Sequence, residues 1–82
     1  APGQELGCRA TVSGELPPVG SKLMLQLMQG EIKVRDQNVC IGEVSNPKDE
    51  LLRGLERGAG LMVAEVRSQL QSSGCIDLVV ER

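Results

Sequence analysis

Few residues in this chain are able to do chemistry, and their spacing keeps them apart. There are three cysteines, Cys8, Cys40 and Cys75, and no histidine or tyrosine. A reactive thiol needs a neighbouring base or a helix N-terminus to lower its pKa, and neither Cys8 nor Cys40 precedes a segment predicted to be helical. The cysteines show no CxxC spacing, and without histidine they cannot complete a zinc site. An odd count does not suit a secreted disulfide scaffold. They read as buried free thiols in a reducing compartment, which places the protein inside the cell, in cytoplasm or nucleus. The carboxylates offer no better constellation: Asp49 and Glu50 fit the first turn of a helix, and Asp77 fits a solvated strand face. The chain is therefore read as a non-enzyme with no cofactor and no metal.

Composition narrows the remaining classes. Eighty-two residues make one domain. Phe, Tyr and Trp are all absent, so the core must come from Leu, Val, Ile, Met and Ala. Nine basic residues against eleven acidic ones leave a net charge of −2 with interleaved signs, which gives no general pull toward nucleic acid or anionic lipid. No apolar run approaches the length that spans a membrane. Residues 1–5, beginning Ala-Pro-Gly-Gln, read as a disordered end, and 6–82 as a single small domain cut from a longer protein.

Residues 31–55 are the stretch that the remainder must position. Glu31-Ile32-Lys33-Val34-Arg35 alternates polar and apolar residues, as a half-buried strand does. Val39 to Val44 is a second β-rich run, and Asp36-Gln37-Asn38 leaves room only for a hairpin turn with Asn38 left-handed. A two-residue turn sets Val34 against Ile41 and puts Lys33, Arg35 and Cys40 on the opposite face; a slip of one residue sets Val34 against Cys40. Then Asn46 is placed to cap a helix, with Pro47 in its first position and Asp49 and Glu50 at the positive end of the dipole. Leu51, Leu55 and Leu52 stripe that helix, and Gly58 ends it.

The flanking chain reads as four more strands. Leu6 to Val12 is short, and Ser13 to Gly20 is a loop stiffened by Pro17-Pro18. Ser21 to Gln29 alternates Leu23, Leu25 and Leu27 against Lys22, Met24, Gln26 and Met28. Residues 61–69 fit a strand with Met62, Ala64 and Val66 inward, or a helix striped by Met62, Val63, Val66 and Leu70; the glycine-rich turn before them favours the strand. Ser72-Ser73-Gly74 turns into a last strand with Ile76, Leu78 and Val80 inward. The fold expected is mainly β, within the α+β class: a small, partly open antiparallel barrel with the order β-β-β-β-α-β-β.

This order and several short lines resemble the HIRAN domain, a small barrel found beside helicase and DNA-repair modules. The matching stretches are Val19-Gly20-Ser21-Lys22-Leu23-Met24-Leu25, Ile32-Lys33-Val34, Ile41-Gly42-Glu43-Val44, Leu52 to Leu55, and Gly58, Leu61, Ala64 and Val66. The resemblance implies a barrel that receives a single-stranded DNA end. The chain departs from that family where its ligand chemistry lies. Glu43 stands where an aromatic is expected and Ser45 where a proline is expected, and the loop that would hold an Asn-Pro-aromatic-Asp motif is missing. No DNA-binding residue carries over.

Two function classes remain. The preferred one is a protein-interaction or scaffold domain of a larger intracellular protein. It would bind another protein or peptide through Met24 and Met28, or through the groove between the helix and the 21–29 strand, with weak self-association as a variant. The alternative is a degenerate HIRAN-like module that touches nucleic acid through Lys22, Lys33, Arg35 and Arg67 on adjacent strands.

Overall fold

A computed structural model describes residues 5–81, with side chains for 6–80. The elements are β1 (Glu5–Val12), β2 (Lys22–Met28), β3 (Glu31–Asp36), β4 (Val39–Ser45), α1 (Asp49–Arg57), β5 (Leu61–Leu70) and β6 (Cys75–Glu81). Residues 61–69 are thus strand, as their pattern favoured. The expected disorder of residues 1–4 falls outside the described residues. Glu5, grouped with them, already pairs with Glu81.

The expectation of a partly open barrel is corrected. Around the sheet the strands run β1-β4-β3-β2-β5-β6, an order different from that along the chain, and β1 pairs with β6 to close the ring. Every pairing is antiparallel. Closure follows from edge chemistry: an open sheet leaves two rows of unpaired amides and carbonyls, and a sheet this small has no second layer to cover them.

Period-2 patterning places the core. Leu23 and Leu25, Ile32 and Val34, Ala64 and Val66, and Ile76, Leu78 and Val80 are all buried, together with Leu6, Ala10, Val12 and Val44. Burying each large aliphatic side chain stabilises the fold by roughly 1.5–3 kcal/mol. Among the described residues no polar or charged one is buried. With no aromatic side chain, the barrel is filled by Leu, Ile, Val and Ala.

The hairpin turns are tight. Asp36 faces Val39, so the β3–β4 loop is the two residues Gln37 and Asn38, and both are left-handed, at φ 50° and 76°. Arg35 then faces Cys40, but Val34 faces Gly42, because a bulge adds Ile41 to β4. That bulge corrects the Val34–Ile41 register, and it brings Gly42 against β1. A side chain at Gly42 would drive its Cβ into the Thr11 carbonyl oxygen. Only glycine lets the two backbones approach so closely.

The helix begins later than expected. Its N-cap is Lys48, in an extended conformation and without a side-chain cap hydrogen bond, while Asn46 adopts a left-handed φ of 49°. Asn46 is spent on turning the chain out of β4, so Pro47 lies before the helix. Asp49 and Glu50 do occupy the first turn, and Arg57 the last. Leu51 and Leu55 are fully buried and Leu52 partly so, so α1 plugs one mouth of the barrel against β2 and β5. The 13–21 loop closes the other mouth. There Ser13 N donates to Ile41 O, Gln69 Nε2 donates to Pro17 O, Gly20 N donates to Val66 O, and Val66 N donates to Ser21 O.

Candidate functional site

The outer face of β3, β2 and β5 gathers most of the residues singled out from sequence. Met24 stands between Arg35 of β3 and Val63 of β5, and Gln26 stands between Lys33 and Leu61. Met28 faces Glu31 at the end of the β2–β3 hairpin. Met24 is half-buried, whereas Met28, Leu61 and Val63 are 46 %, 45 % and 53 % exposed. The core is complete without these side chains, so burial of the fold does not account for them. Leu61 and Val63 were not singled out from sequence. The parity that sends Met62 and Ala64 inward would have found them.

Two shallow hollows flank Val63. One, of about 300 Å³, is lined by Lys22, Leu23, Met24, Arg35 and Val63. The other, of about 210 Å³, is lined by Lys22, Met62, Glu65, Arg67 and Val79. The groove expected between the helix and the 21–29 strand is closed. Leu51 and Leu55 pack there, and Leu27 N donates to Gly60 O at 2.8 Å.

The four basic candidates share this same face, each beside an acid or an amide. Lys22 Nζ bonds Glu65 Oε1 at 2.9 Å, and Arg67 Nε lies 3.6 Å from Glu65 Oε2. The Lys22 hydrogen bond is the main reason that the Glu65 carboxyl titrates below its ordinary value. Lys33 Nζ sits 3.6 Å from both Glu31 and Glu43. Arg35 donates to Gln26 Oε1 and to the Asn38 carbonyl, each at 3.0 Å. Interleaved signs along the chain thus become cross-strand pairs on the sheet, and local neutralisation limits the potential this face projects.

The cysteines lie apart and free. Cys8 and Cys75 are half-buried, and Cys40 is exposed at the β3–β4 turn, which corrects its reading as a buried thiol. Burial, reinforced by Asp77 and opposed by Lys48, pushes the Cys8 thiol up to about 11. At neutral pH it is a protonated, weakly nucleophilic group. Asp77 itself accepts from Arg9 Nε at 2.9 Å and from Ser68 Oγ at 3.0 Å, and the Arg9 bond holds its carboxyl below the usual range. Among the described residues no three of His, Cys, Asp and Glu come together to hold a metal. No helix among the described residues is long and apolar enough to cross a membrane.

No protein-family profile, curated protein or solved structure matches this chain. The site must be read from its own geometry.

Proposed function

We propose that this barrel is a non-catalytic protein-interaction or scaffold module of a larger intracellular protein. Its docking face is the outer surface of β2 and β5. The observation that carries this reading is the apolar group Met24, Met28, Leu61 and Val63, displayed on a barrel whose interior is already full. Methionines are adaptable contacts, and the rim of paired Lys and Glu supplies register more than affinity. Three free thiols suit a reducing compartment.

The test is the double variant Met24→Asp with Met28→Asp. Because Met28 is exposed and Met24 points outward, the variant keeps its β-sheet circular dichroism and loses specific capture of partner protein from cell extract. An unfolded double variant, or an unchanged set of captured proteins, overturns the proposal. Molecular mass measured across a concentration series separates a foreign partner from a second copy of the chain.

A degenerate HIRAN-like nucleic-acid module is the second reading, favoured by one observation: Lys22, Lys33, Arg35 and Arg67 lie on one face. The absence of rings removes base stacking, worth about 1–3 kcal/mol per base. Any contact would be electrostatic and salt-labile. Filter retention of single-stranded DNA at low salt that disappears at moderate salt would favour this reading, and no retention at either would end it.

A further inference from the structure

Of the two seams that hold β1 in the barrel, the one with β4 is short. β1 pairs with β6 from Glu5 to Thr11, but with β4 only from Arg9 to Val12. Among the described residues no strand lies beside Leu6 and Gly7 on that side, where β4 turns away at Asn46 toward the helix. A hollow of about 520 Å³ opens there, lined by Gly7, Cys8, Arg9, Asn46, Lys48 and Val79 among others. An unpaired strand edge presents amides and carbonyls at the spacing that another extended chain matches.

Gly7 is a second and independent sign. It sits inside a strand, where glycine weakens pairing. Neither a left-handed backbone nor crowding requires it: a Cβ added there would meet nothing closer than the Leu78 carbonyl oxygen at 3.9 Å. Its missing side chain opens the hollow over the outer face toward Val79. A mid-strand glycine with free space above it is what close approach of another backbone needs. The charges choose the ligand. Arg9 and Lys48 against Asp77 leave two positive groups to one negative, and Cys8 is an uncharged thiol at neutral pH.

We propose that the open edge of β1 at Leu6–Gly7 receives an extended peptide segment of a partner protein, which adds as a strand and sets an acidic side chain between Arg9 and Lys48. The main-chain edge favours a peptide over nucleic acid, since the hollow has no ring on which a base could stack. This surface is separate from the Met24–Val63 face and goes beyond the function proposed above.

The test uses the 82-residue chain as the target for a phage library of random peptides. The best-enriched peptide is then synthesised with a fluorescent label. Enriched peptides are expected to carry Asp or Glu and to shift the amides of residues 6–9 and 45–48. Gly7→Val fills the hollow and weakens binding at least about tenfold, while the melting midpoint holds or rises by a few degrees. Should that variant fail to fold, Lys48→Glu is expected to weaken the same peptide to a similar extent. Met24→Asp with Met28→Asp leaves the peptide bound, so this proposal and the previous one fail separately. The proposal is overturned if no peptide is enriched, if the shifts fall on the β2–β5 face, if Gly7→Val and Lys48→Glu bind normally, or if oligothymidylate displaces the peptide.

Discussion

Gly42 and Cys8 show how much single positions carry in a barrel of this size. Gly42→Ala drives a methyl into the Thr11 carbonyl, so the two strands must separate. The expected loss is about 3 kcal/mol or more, read as a lower urea midpoint, whereas Gly7→Ala costs nothing comparable. Cys8 makes the fold alkali-sensitive. Its thiol is raised from 9.0 to about 11, so the stabilisation it represents is complete below that ordinary value and is lost as pH climbs through the folded one. The loss amounts to about 2–3 kcal/mol, and Cys8→Ala should remove that slope from a urea series taken between pH 8 and 11. Asp77 behaves in the opposite sense. Its pKa is depressed, so its contribution holds above the unfolded value near 3.9 and fades as pH falls through the folded one. The Arg9 pair is largely exposed, so Asp77→Asn should flatten the acid limb by no more than about 0.5 kcal/mol.

Among the elements, α1 depends most on its neighbours. Nine residues are too few for a stable helix in water, and Lys48 offers no side-chain cap. The helix persists because Leu51 and Leu55 are fully buried in the barrel mouth and because Gly54 lies against Met62, whose Cε would be 3.3 Å from an added Cβ. Leu55→Ala is expected to cost about 2–5 kcal/mol in denaturant unfolding. Lys48→Ser supplies the missing cap acceptor on a backbone already extended. It should raise stability by about 0.5–1 kcal/mol, which thermal melts of the variant and parent would measure. β5 depends on tertiary context too. Its first half follows the inward pattern Met62, Ala64, Val66, but a bulge between Val66 and Ser68 shifts the rest, so Ser68 reaches Asp77.

On the scale of the whole molecule, β1 is held in the barrel by two seams of unequal length. β1 holds to β6 along its length but to β4 only over Arg9–Val12, next to the unpaired edge. Native-state hydrogen exchange should therefore find the amides shared by β1 and β4 opening at lower free energy than those of β5 and β6. Uniform protection around the ring would contradict this. The opening of that seam is also the geometry by which a peptide strand would gain entry.

What the amino-acid order determined by itself was everything that depends on near neighbours in the chain. Alternation from Leu23 to Leu27 and from Ile76 to Val80 declared the strands and their buried faces. Gln37-Asn38 left only a tight turn, and Leu51, Leu52 and Leu55 marked a short docked helix. Closure of the ring, the bulge at Ile41, the displaced cap at Asn46 and the unfinished seam at Gly7 were decided only in three dimensions. Closure and the unfinished seam depend on which strand lies beside which, set by backbone hydrogen bonds between residues tens of positions apart, whereas the bulge and the cap are local departures from regular geometry; alternation of residue types encodes neither. The outer faces follow the same division: parity says that Met24 and Val63 point outward, and only the pairing of β2 with β5 puts them side by side.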